Sequence, residues 1–283
     1  MTLIDKLDHL IIAVEDLDAA VESYTKVFGF GPSWKGEHTE LGTANALFSV
    51  DNTYLELLAS NGNEGAGSAM VKATLELNGE GLSGLVLGTS DISSVKSRLE
   101  KHSKELQDLG LGEGVDNAQG LKRTWKNLFL PFSFTRGLFA FIIQHETGEL
   151  PKVNVSSSSI INRLDHVVIN TNDPEGFKHL YEKIFGIRLA LDQTVEKWGG
   201  RMLFFRLNHT TIEVIGKINK EDPADKLWGL AWTVEDLDAT QKRLLKEGVE
   251  VSPVKEGRKK NTLVCTLKSD TCNVPTLLIQ HLP

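Results

Sequence analysis

The sequence Leu-Asp-His-Leu-Ile-Ile at residues 7–12 recurs as Leu-Asp-His-Val-Val-Ile at residues 164–169. Each copy is a short apolar run of the kind that forms a buried strand, with one histidine near its start. In each copy a glutamate in another apolar run follows the histidine after 47 positions, giving the pairs His9 with Glu56 and His166 with Glu213. Because an unpaired carboxylate is costly to bury, the repeated pair requires a chemical explanation.

The repetition extends to four segments, each with the predicted order strand, helix, strand, strand, strand. In every segment an aspartate suited to cap a helix follows the starting position after seven residues. The starting positions are His9, Gly84, His166 and Gly229, and the capping residues are Asp16, Asp91, Asp173 and Asp236. The sequence therefore predicts four modules, at residues 1–60, 80–148, 162–218 and 226–283.

A single module of this size would bury too little apolar surface to be stable alone, so the modules are expected to pair. We predict an α+β fold in which each pair forms a curved, mostly antiparallel sheet, shaped as a cup with helices outside. The first domain would span residues 1–150 and the second residues 162–283, with the polar, serine-rich segment 151–161 as the linker. The concave face of such a cup is a natural site for a small molecule.

The composition limits the classes of partner. The net charge of −7 and the pI near 5.7 argue against nucleic acid and anionic membranes. The N-terminus lacks the apolar core of a signal peptide, and no apolar run approaches the roughly 18–20 residues that span a bilayer. We therefore expect a cytoplasmic protein with a small-molecule ligand and neither a nucleic-acid nor a membrane partner. A homodimer is left open.

These segments resemble the vicinal oxygen chelate (VOC) superfamily, which includes glyoxalase I, extradiol dioxygenases and bleomycin-resistance proteins. The resemblance covers nearly the whole chain as four βαβββ modules. It rests on the two Leu-Asp-His sequences, the helix ending Val-Phe-Gly-Phe at residues 27–30 and the strand Tyr-Leu-Glu-Leu-Leu at residues 54–58. The first half also resembles the narrower group of glyoxalase-like domain proteins, through His38, Gly-Thr-Ala-Asn at residues 42–45 and the strand that contains Glu56.

The resemblance implies a divalent metal (Fe, Mn, Zn or Ni) held by residues from the first and fourth strands of paired modules. The positions that match as ligands are His9, Glu56, His166 and Glu213. The remaining positions of the two ligand sets hold residues that cannot bind a metal, namely Gly84, Phe141, Gly229 and Leu277. Because even open catalytic sites usually keep three protein ligands, the sequence leaves the metal open. Two further histidines, His145 and His281, lie four residues beyond Phe141 and Leu277, roughly 13 Å along a strand, and are not expected to be ligands.

Two functional hypotheses follow. In the first, a glyoxalase- or dioxygenase-like enzyme acts on a small oxygen-rich metabolite in the cup of the first domain, with Glu56 and His38 as catalytic residues. The expected substrate-binding residues are Asn45, Arg123, Trp125 and Phe141. In the second hypothesis, the cup binds or sequesters a small molecule without a metal, as bleomycin-resistance relatives do. The first domain is the expected active site, because the second has no counterpart of the segment that contains His38 and Asn45.

Overall fold

The computed structural model of the protein describes residues 3–153, 155–195, 200–219 and 221–283, so position 154 of the predicted linker lies outside the described residues. The strands of the first half are β1 (Lys6–Ala13), β2 (Trp34–His38), β3 (Thr43–Ser49), β4 (Tyr54–Ser60), β5 (Gly81–Gly88), β6 (Gly110–Asp116), β7 (Leu121–Phe129) and β8 (Phe139–Thr147). Those of the second half are β9 (Arg163–Thr171), β10 (Arg188–Val195), β11 (Gly200–Leu207), β12 (Thr210–Gly216), β13 (Asp225–Thr233), β14 (Lys255–Glu256), β15 (Thr262–Leu267) and β16 (Thr276–His281). The helices are α1 (Leu17–Phe28), α2 (Ala66–Asn78), α3 (Ile92–Leu99), α4 (Phe132–Thr135), α5 (Pro174–Lys178) and α6 (Leu237–Lys246).

The four predicted helix caps are confirmed. In each case an aspartate carboxylate accepts a hydrogen bond from the backbone N–H three residues further on, which satisfies a donor that the first turn leaves unpaired. The capping residues are Asp16, Asp91, Asp173 and Asp236. Gly29 ends α1 in the left-handed conformation, with φ 83°, as predicted.

The first half closes into a barrel. Its strands follow the order β1-β4-β3-β2-β6-β7-β8-β5. The pairs β1 with β4 and β5 with β8 are parallel, and the other strand pairs are antiparallel. The register of β1 with β5 indicates that the two modules of this half are related by a pseudo-twofold axis. In the two modules His9 is equivalent to Gly84 and Ile11 to Val86, and His9 pairs with Val86 while Gly84 pairs with Ile11.

The second half repeats this arrangement without closing. Its strands follow the order β10-β11-β12-β9-β13-β16-β15-β14, so that β10 and β14 are edge strands. Two curved eight-stranded sheets built from strand–helix–strand modules confirm the predicted α+β class and the two VOC-type sheets. The division at residues 1–150 and 162–283 stays a prediction.

Three segments differ from the sequence-based expectation. Helix α2 and strand β6 were not predicted, since α2 has only a weak amphipathic pattern and β6 alternates glycine with other residues. The predicted helix of the third module is α5 followed by a π-helical segment at His179–Ile184. The described residues contain no helix with the length and apolar character that a membrane crossing requires.

Alternation along the strands places the side chains on two faces. Leu10 and Ile12 of β1 belong to a large buried cluster that also contains Phe177 and Trp232 of the second half. Ile11, between them, belongs to a smaller cluster inside the barrel. The outer faces of both sheets therefore share one apolar core, and the inner face of the barrel is left to line a cavity.

Candidate functional site

The barrel encloses a cavity of about 270 Å³, near the lower end of the range for small-molecule sites. One wall is polar and consists of His9, His38, Asn45, Glu56, Arg123 and His145. The apolar lining residues include Ile11, Leu58, Met70, Phe139, Phe141 and Ile143. The seven site residues expected in the first half all line this one cavity, namely His9, His38, Asn45, Glu56, Arg123, Trp125 and Phe141.

His9 and Glu56 lie on the same face of adjacent parallel strands and are in direct contact. His9 Nε2 is 3.2 Å from Glu56 Oε2, and both residues are almost fully buried. The Nδ1 atom of His9 donates to Asp8 Oδ1 at 2.8 Å. The imidazole of His9 is therefore held between two carboxylates, and its ring stacks on Tyr54 at 4.5 Å.

The contacts continue beyond Asp8. His145 Nε2 donates to the Asp8 carboxylate at 3.0 Å, and Lys6 Nζ lies 2.9 Å from the same group. The result is a chain of side chains in the order Glu56, His9, Asp8, His145, which we call the buried chain. His145 thus contacts Asp8, and the expectation that it is not a metal ligand stays a prediction.

The second half contains an equivalent chain in the order Glu213, His166, Asp165, His281. His166 Nδ1 is 2.7 Å from Asp165 Oδ1, and His281 Nε2 is 2.7 Å from Asp165 Oδ2. The distance from His166 Nε2 to Glu213 Oε2 is longer, at 3.5 Å. Asp8 and Asp165 both lie at β-bulges, where the register shifts by one residue. The bulge turns the aspartate side chain towards the histidine that follows it.

The electrostatics of the buried chain favour charged groups. Burial opposes the charged form of His9, but hydrogen bonds to Asp8 and Glu56 outweigh it and raise the pKa of His9. Burial likewise opposes ionisation of Glu56, but His9 and the Asn45 amide outweigh it and lower the pKa of Glu56. The pKa of Asp8 lies well below its usual value for the same kind of reason, since His145 and His9 outweigh burial. The two carboxylates therefore favour the protonated form of His9, and His9 favours the ionised form of both carboxylates.

Asn45 fixes the orientation of the polar wall. Its Oδ1 accepts from Trp34 Nε1 at 3.2 Å, and its Nδ2 donates to Glu56 Oε1 at 2.6 Å. Because an indole N–H can only donate and a carboxylate can only accept, the amide has one chemically consistent orientation. Both oxygens of Glu56 are thus engaged, one by Asn45 and one by His9.

His38 is the histidine of the polar wall whose charged form is disfavoured by burial. Its Nδ1 lies 3.0 Å from Thr43 Oγ1, and its Nε2 lies 3.4 Å from the Asn45 amide nitrogen. Burial lowers the pKa of His38, and the positive charges of His9 and Arg123 lower it further, against the opposing effect of Glu56. Since the Asn45 nitrogen is a donor, His38 Nε2 is the acceptor and Nδ1 carries the proton.

Two tryptophans shape the cavity beside a strand of alternating glycines. Trp125 meets His38 edge to face, with ring centroids 5.7 Å apart. A Cβ placed at Gly112 would lie 2.1 Å from Trp125 Nε1, and one at Gly36 would lie 2.4 Å from Trp34 Nε1. The glycines of β2 and β6 therefore leave the space in which the two indole rings lie across the strands.

The donor set does not fit a firmly held divalent metal. His9 and Glu56 supply two donors, whereas the equivalent positions of the second module supply none. Phe141 occupies the position equivalent to Glu56, because it pairs with Val86 in the way that Glu56 pairs with Ile11. The described residues contain no group of three histidine, cysteine, aspartate or glutamate side chains arranged to hold a metal ion. Two protein ligands fall short of the three usual even in open catalytic sites.

The described residues of the second half do not reproduce the polar wall. The strand registers place Met202 where the first half has Asn45, Thr262 where it has Trp125, and Val264 where it has Asn127. Burial raises the pKa of Glu213, against the opposing effect of His166. His166 and Glu213 are brought near each other, as expected, but they do not share a polar wall of the kind that surrounds Glu56.

Several residues of the site were not foreseen from the sequence. Tyr54, Asn127 and three residues of the unpredicted helix α2 and the turn before β3 line the cavity, namely Leu41, Ala66 and Met70. The period-two pattern of β4 could have identified Tyr54, which lies two residues before Glu56. Asp8 could have been identified only with knowledge of the bulge.

Comparison with known families gives two matches. The family model described as "Glyoxalase-like domain" matches residues 7–185. The model described as "Glyoxalase/Bleomycin resistance protein/Dioxygenase superfamily" matches residues 165–266. A search of curated proteins by sequence gave no match.

Several solved structures share the fold. A mutant of 4-hydroxymandelate synthase from Streptomyces coelicolor superposes with a TM-score of 0.67 at 14% identity, covering 98% of this chain and 92% of that chain. The Mn(II)-bound glyoxalase from Novosphingobium aromaticivorans gives a TM-score of 0.63 at 14% identity, covering 100% of this chain and 84% of that chain. A hypothetical protein from Staphylococcus aureus gives 0.62 at 15% identity, covering 96% and 98%. At these identities the likeness shows the fold alone.

Proposed function

Because the chain belongs to the glyoxalase-like domain family of the VOC superfamily, we propose that its first barrel acts on a small oxygen-rich metabolite bound in the cavity. The observation that supports this proposal is the convergence of His38, Asn45, Glu56 and Arg123 on one wall of an otherwise apolar cavity. A few polar groups directed into an apolar cavity are typical of sites that orient a small molecule.

We assign the proton-accepting role to His38. Its pKa is lowered by burial, so the imidazole is neutral at physiological pH and can accept a proton from an acidic C–H or O–H group of the ligand. The nearby carboxylate of Glu56 would stabilise the imidazolium that forms. Glu56 itself is a poor base here, because its pKa is lowered and both of its oxygens already accept hydrogen bonds.

No step of this chemistry is assigned to a metal. A divalent ion would have to use His9 and Glu56 and would act as a Lewis acid on the ligand's oxygens. Metal binding stays a prediction, which metal analysis of protein purified without chelators would test.

The second candidate function is binding without turnover. The engagement of both Glu56 oxygens favours it, since this carboxylate is committed to holding His9 and Asn45 in place. In this case the cavity would sequester its ligand, and His38 would serve only as a hydrogen-bond partner.

Solvent deuterium exchange separates the two functions. Small hydroxy and oxo compounds that raise the unfolding temperature would be incubated with the protein in D₂O, and NMR would follow loss of the ligand's acidic C–H signal. We expect exchange with the wild type, loss of exchange in His38→Asn, and wild-type exchange in the control His102→Asn, which changes an exposed histidine. Stoichiometric binding with no exchange in the wild type would support sequestration instead.

A further inference from the structure

Arg123 is a buried cation for which the described residues provide no counter-ion. It lies on β7, lines the cavity and is only 6% exposed. In the described part of the chain, no carboxylate forms an ion pair with Arg123, and its Nε has no hydrogen-bond partner. Burying a charge without a partner is strongly unfavourable, so a fold that retains such a group needs a compensating interaction from outside the chain.

The surroundings of Arg123 compensate for its burial only in part. The guanidinium lies over the rings of Trp34 and Tyr54, at 5.7 and 5.6 Å from their centroids, and its Nη2 is 3.5 Å from His145 Nδ1. Cation–π contacts attract a cation, but they do not replace a negative charge.

The acidic groups of the cavity wall are already matched. Glu56 is bound by His9 and Asn45, and Asp8 is bound by His9, His145 and Lys6. Neither carboxylate is close enough to form an ion pair with Arg123. The missing negative charge must therefore come from a molecule that enters the cavity.

We propose that the cavity recognises a carboxylate on an apolar body, with Arg123 as the anchor of the carboxylate. The planar guanidinium presents parallel N–H donors that match the two oxygens of a carboxylate. Arg123 is the only lysine or arginine among the described residues that line the cavity, so a phosphate, with its larger charge, would be poorly matched. This inference rests on the proposed function only in placing the ligand in the same cavity.

A second buried polar group without a partner indicates the far end of the ligand. Asn127 lies on the same strand and face as Arg123, is 7% exposed and lines the cavity, and its Oδ1 accepts no hydrogen bond. Four residues along a strand separate the two Cα atoms by roughly 13 Å. Trp125 lies between them on the same face. The arrangement fits a small acid with its carboxylate at Arg123, its apolar body against Trp125 and a hydrogen-bond donor at Asn127.

Matched probes test each part by isothermal titration. The acid probe is 3-phenylpropionate, its uncharged control is 3-phenylpropionamide, and the probe with a distal donor is 3-(4-hydroxyphenyl)propionate. We expect the wild type to bind the acid at least about tenfold more tightly than the amide, because a charge-assisted contact to a desolvated guanidinium is lost in the amide. The hydroxylated acid should bind several-fold more tightly than the acid without a hydroxyl group.

Variants identify the residues responsible. Arg123→Met should abolish the preference for the acid over the amide while keeping or raising the urea midpoint of unfolding, because it removes an unpaired buried charge. Arg123→Lys, which keeps the charge without the fork, should retain a reduced preference and serves as the second variant if the methionine variant does not fold. Asn127→Leu should remove only the advantage of the hydroxyl group.

The results that would overturn the proposal are definite. Equal affinity of the wild type for acid and amide, no binding of either at millimolar concentration, or an unchanged preference in Arg123→Met would each overturn it. A preference for the acid without His38-dependent deuterium exchange would leave this inference standing and remove the proposed proton transfer. His38-dependent exchange without a preference for the acid would overturn this inference and leave the proposed proton transfer standing.

Discussion

The packing of Trp125 against Gly112 gives a quantitative prediction. Gly112 and Trp125 are directly opposite each other on β6 and β7. The added Cβ of Gly112→Ala would lie 2.1 Å from Trp125 Nε1, whereas ordinary contact begins at 3.4 Å, so the ring must move by about 1.3 Å. Gly114→Ala, on the same strand and face, would meet the same ring at 3.3 Å, so the ring needs to move only slightly.

The two substitutions should therefore have opposite effects on stability. Both glycines have backbone φ values that alanine can adopt. Replacing a strand glycine by alanine gains about 0.5–1 kcal/mol from reduced freedom of the unfolded chain. Gly114→Ala should show this gain, whereas overpacking of about 1–3 kcal/mol should outweigh it in Gly112→Ala.

Urea unfolding at constant m-value would measure the difference in the free energy of unfolding. Titration with 3-phenylpropionate would show whether the displaced ring also enters the cavity, in which case Gly112→Ala should bind the probe more weakly than Gly114→Ala. If the two variants are equally stable and bind the probe equally well, the space beside Gly112 does not position Trp125 and the reasoning is wrong.

Two further predictions concern buried charges. The raised pKa of His9 stabilises the fold below the ordinary value of 6.5, and this contribution is lost as the pH rises through the folded pKa; the lowered pKa of Glu56 stabilises it above 4.5, and this contribution is lost as the pH falls. The difference in unfolding free energy between the wild type and Glu56→Gln should therefore be largest between these two values, and a pH-independent difference in urea titrations would contradict this. Arg136→Met should destabilise the fold by about 3–5 kcal/mol. Asp225 of the second half lies 2.7 Å from Arg136 and would be left buried without its partner. The double variant Arg136→Met, Asp225→Leu should recover much of the loss, and thermal unfolding of the three proteins would show whether it does.

The local features of the fold could be predicted from the sequence because they depend on local chemistry. The helix caps, for example Asp16, follow from a short polar side chain before an amphipathic run. Strand β6 could not be predicted, because its glycines at 110, 112 and 114 lower the apparent strand propensity while serving the packing of residues on β7. Closure of the first sheet, with the second left open, depends on long-range pairing of β2 with β6 through Glu37 and Val115, which no local pattern reports.

The candidate site shows the same division. The contact between His9 and Glu56 follows from period-two alternation on neighbouring strands, and it was anticipated. The contact between His145 and Asp8 depends on the bulge at Asp8, which brings two consecutive side chains of β1 to the cavity region. A bulge is a property of the pairing between two strands, so one strand's sequence does not reveal it. Arg123 was anticipated as a binding residue, but the sequence could not show that the residues described around it include no counter-ion.

The internal duplication separates what the fold requires from what the ligand requires. The buried chain of contacting side chains, from Glu56 to His145, has an equivalent in the second half, from Glu213 to His281. The second half is nevertheless an open sheet, and its described residues do not form the polar wall. Because these contacts occur in both halves, we infer that they serve the fold. They provide hydrogen-bond partners for the buried aspartate at the bulge and connect the strands that meet there. Other polar residues of the first barrel are replaced by apolar residues at the equivalent positions of the second half. Met202 replaces Asn45, and Val264 replaces Asn127. Selectivity for a ligand should therefore change when the residues unique to the first barrel are replaced, whereas substitutions in the duplicated chain should act first on stability.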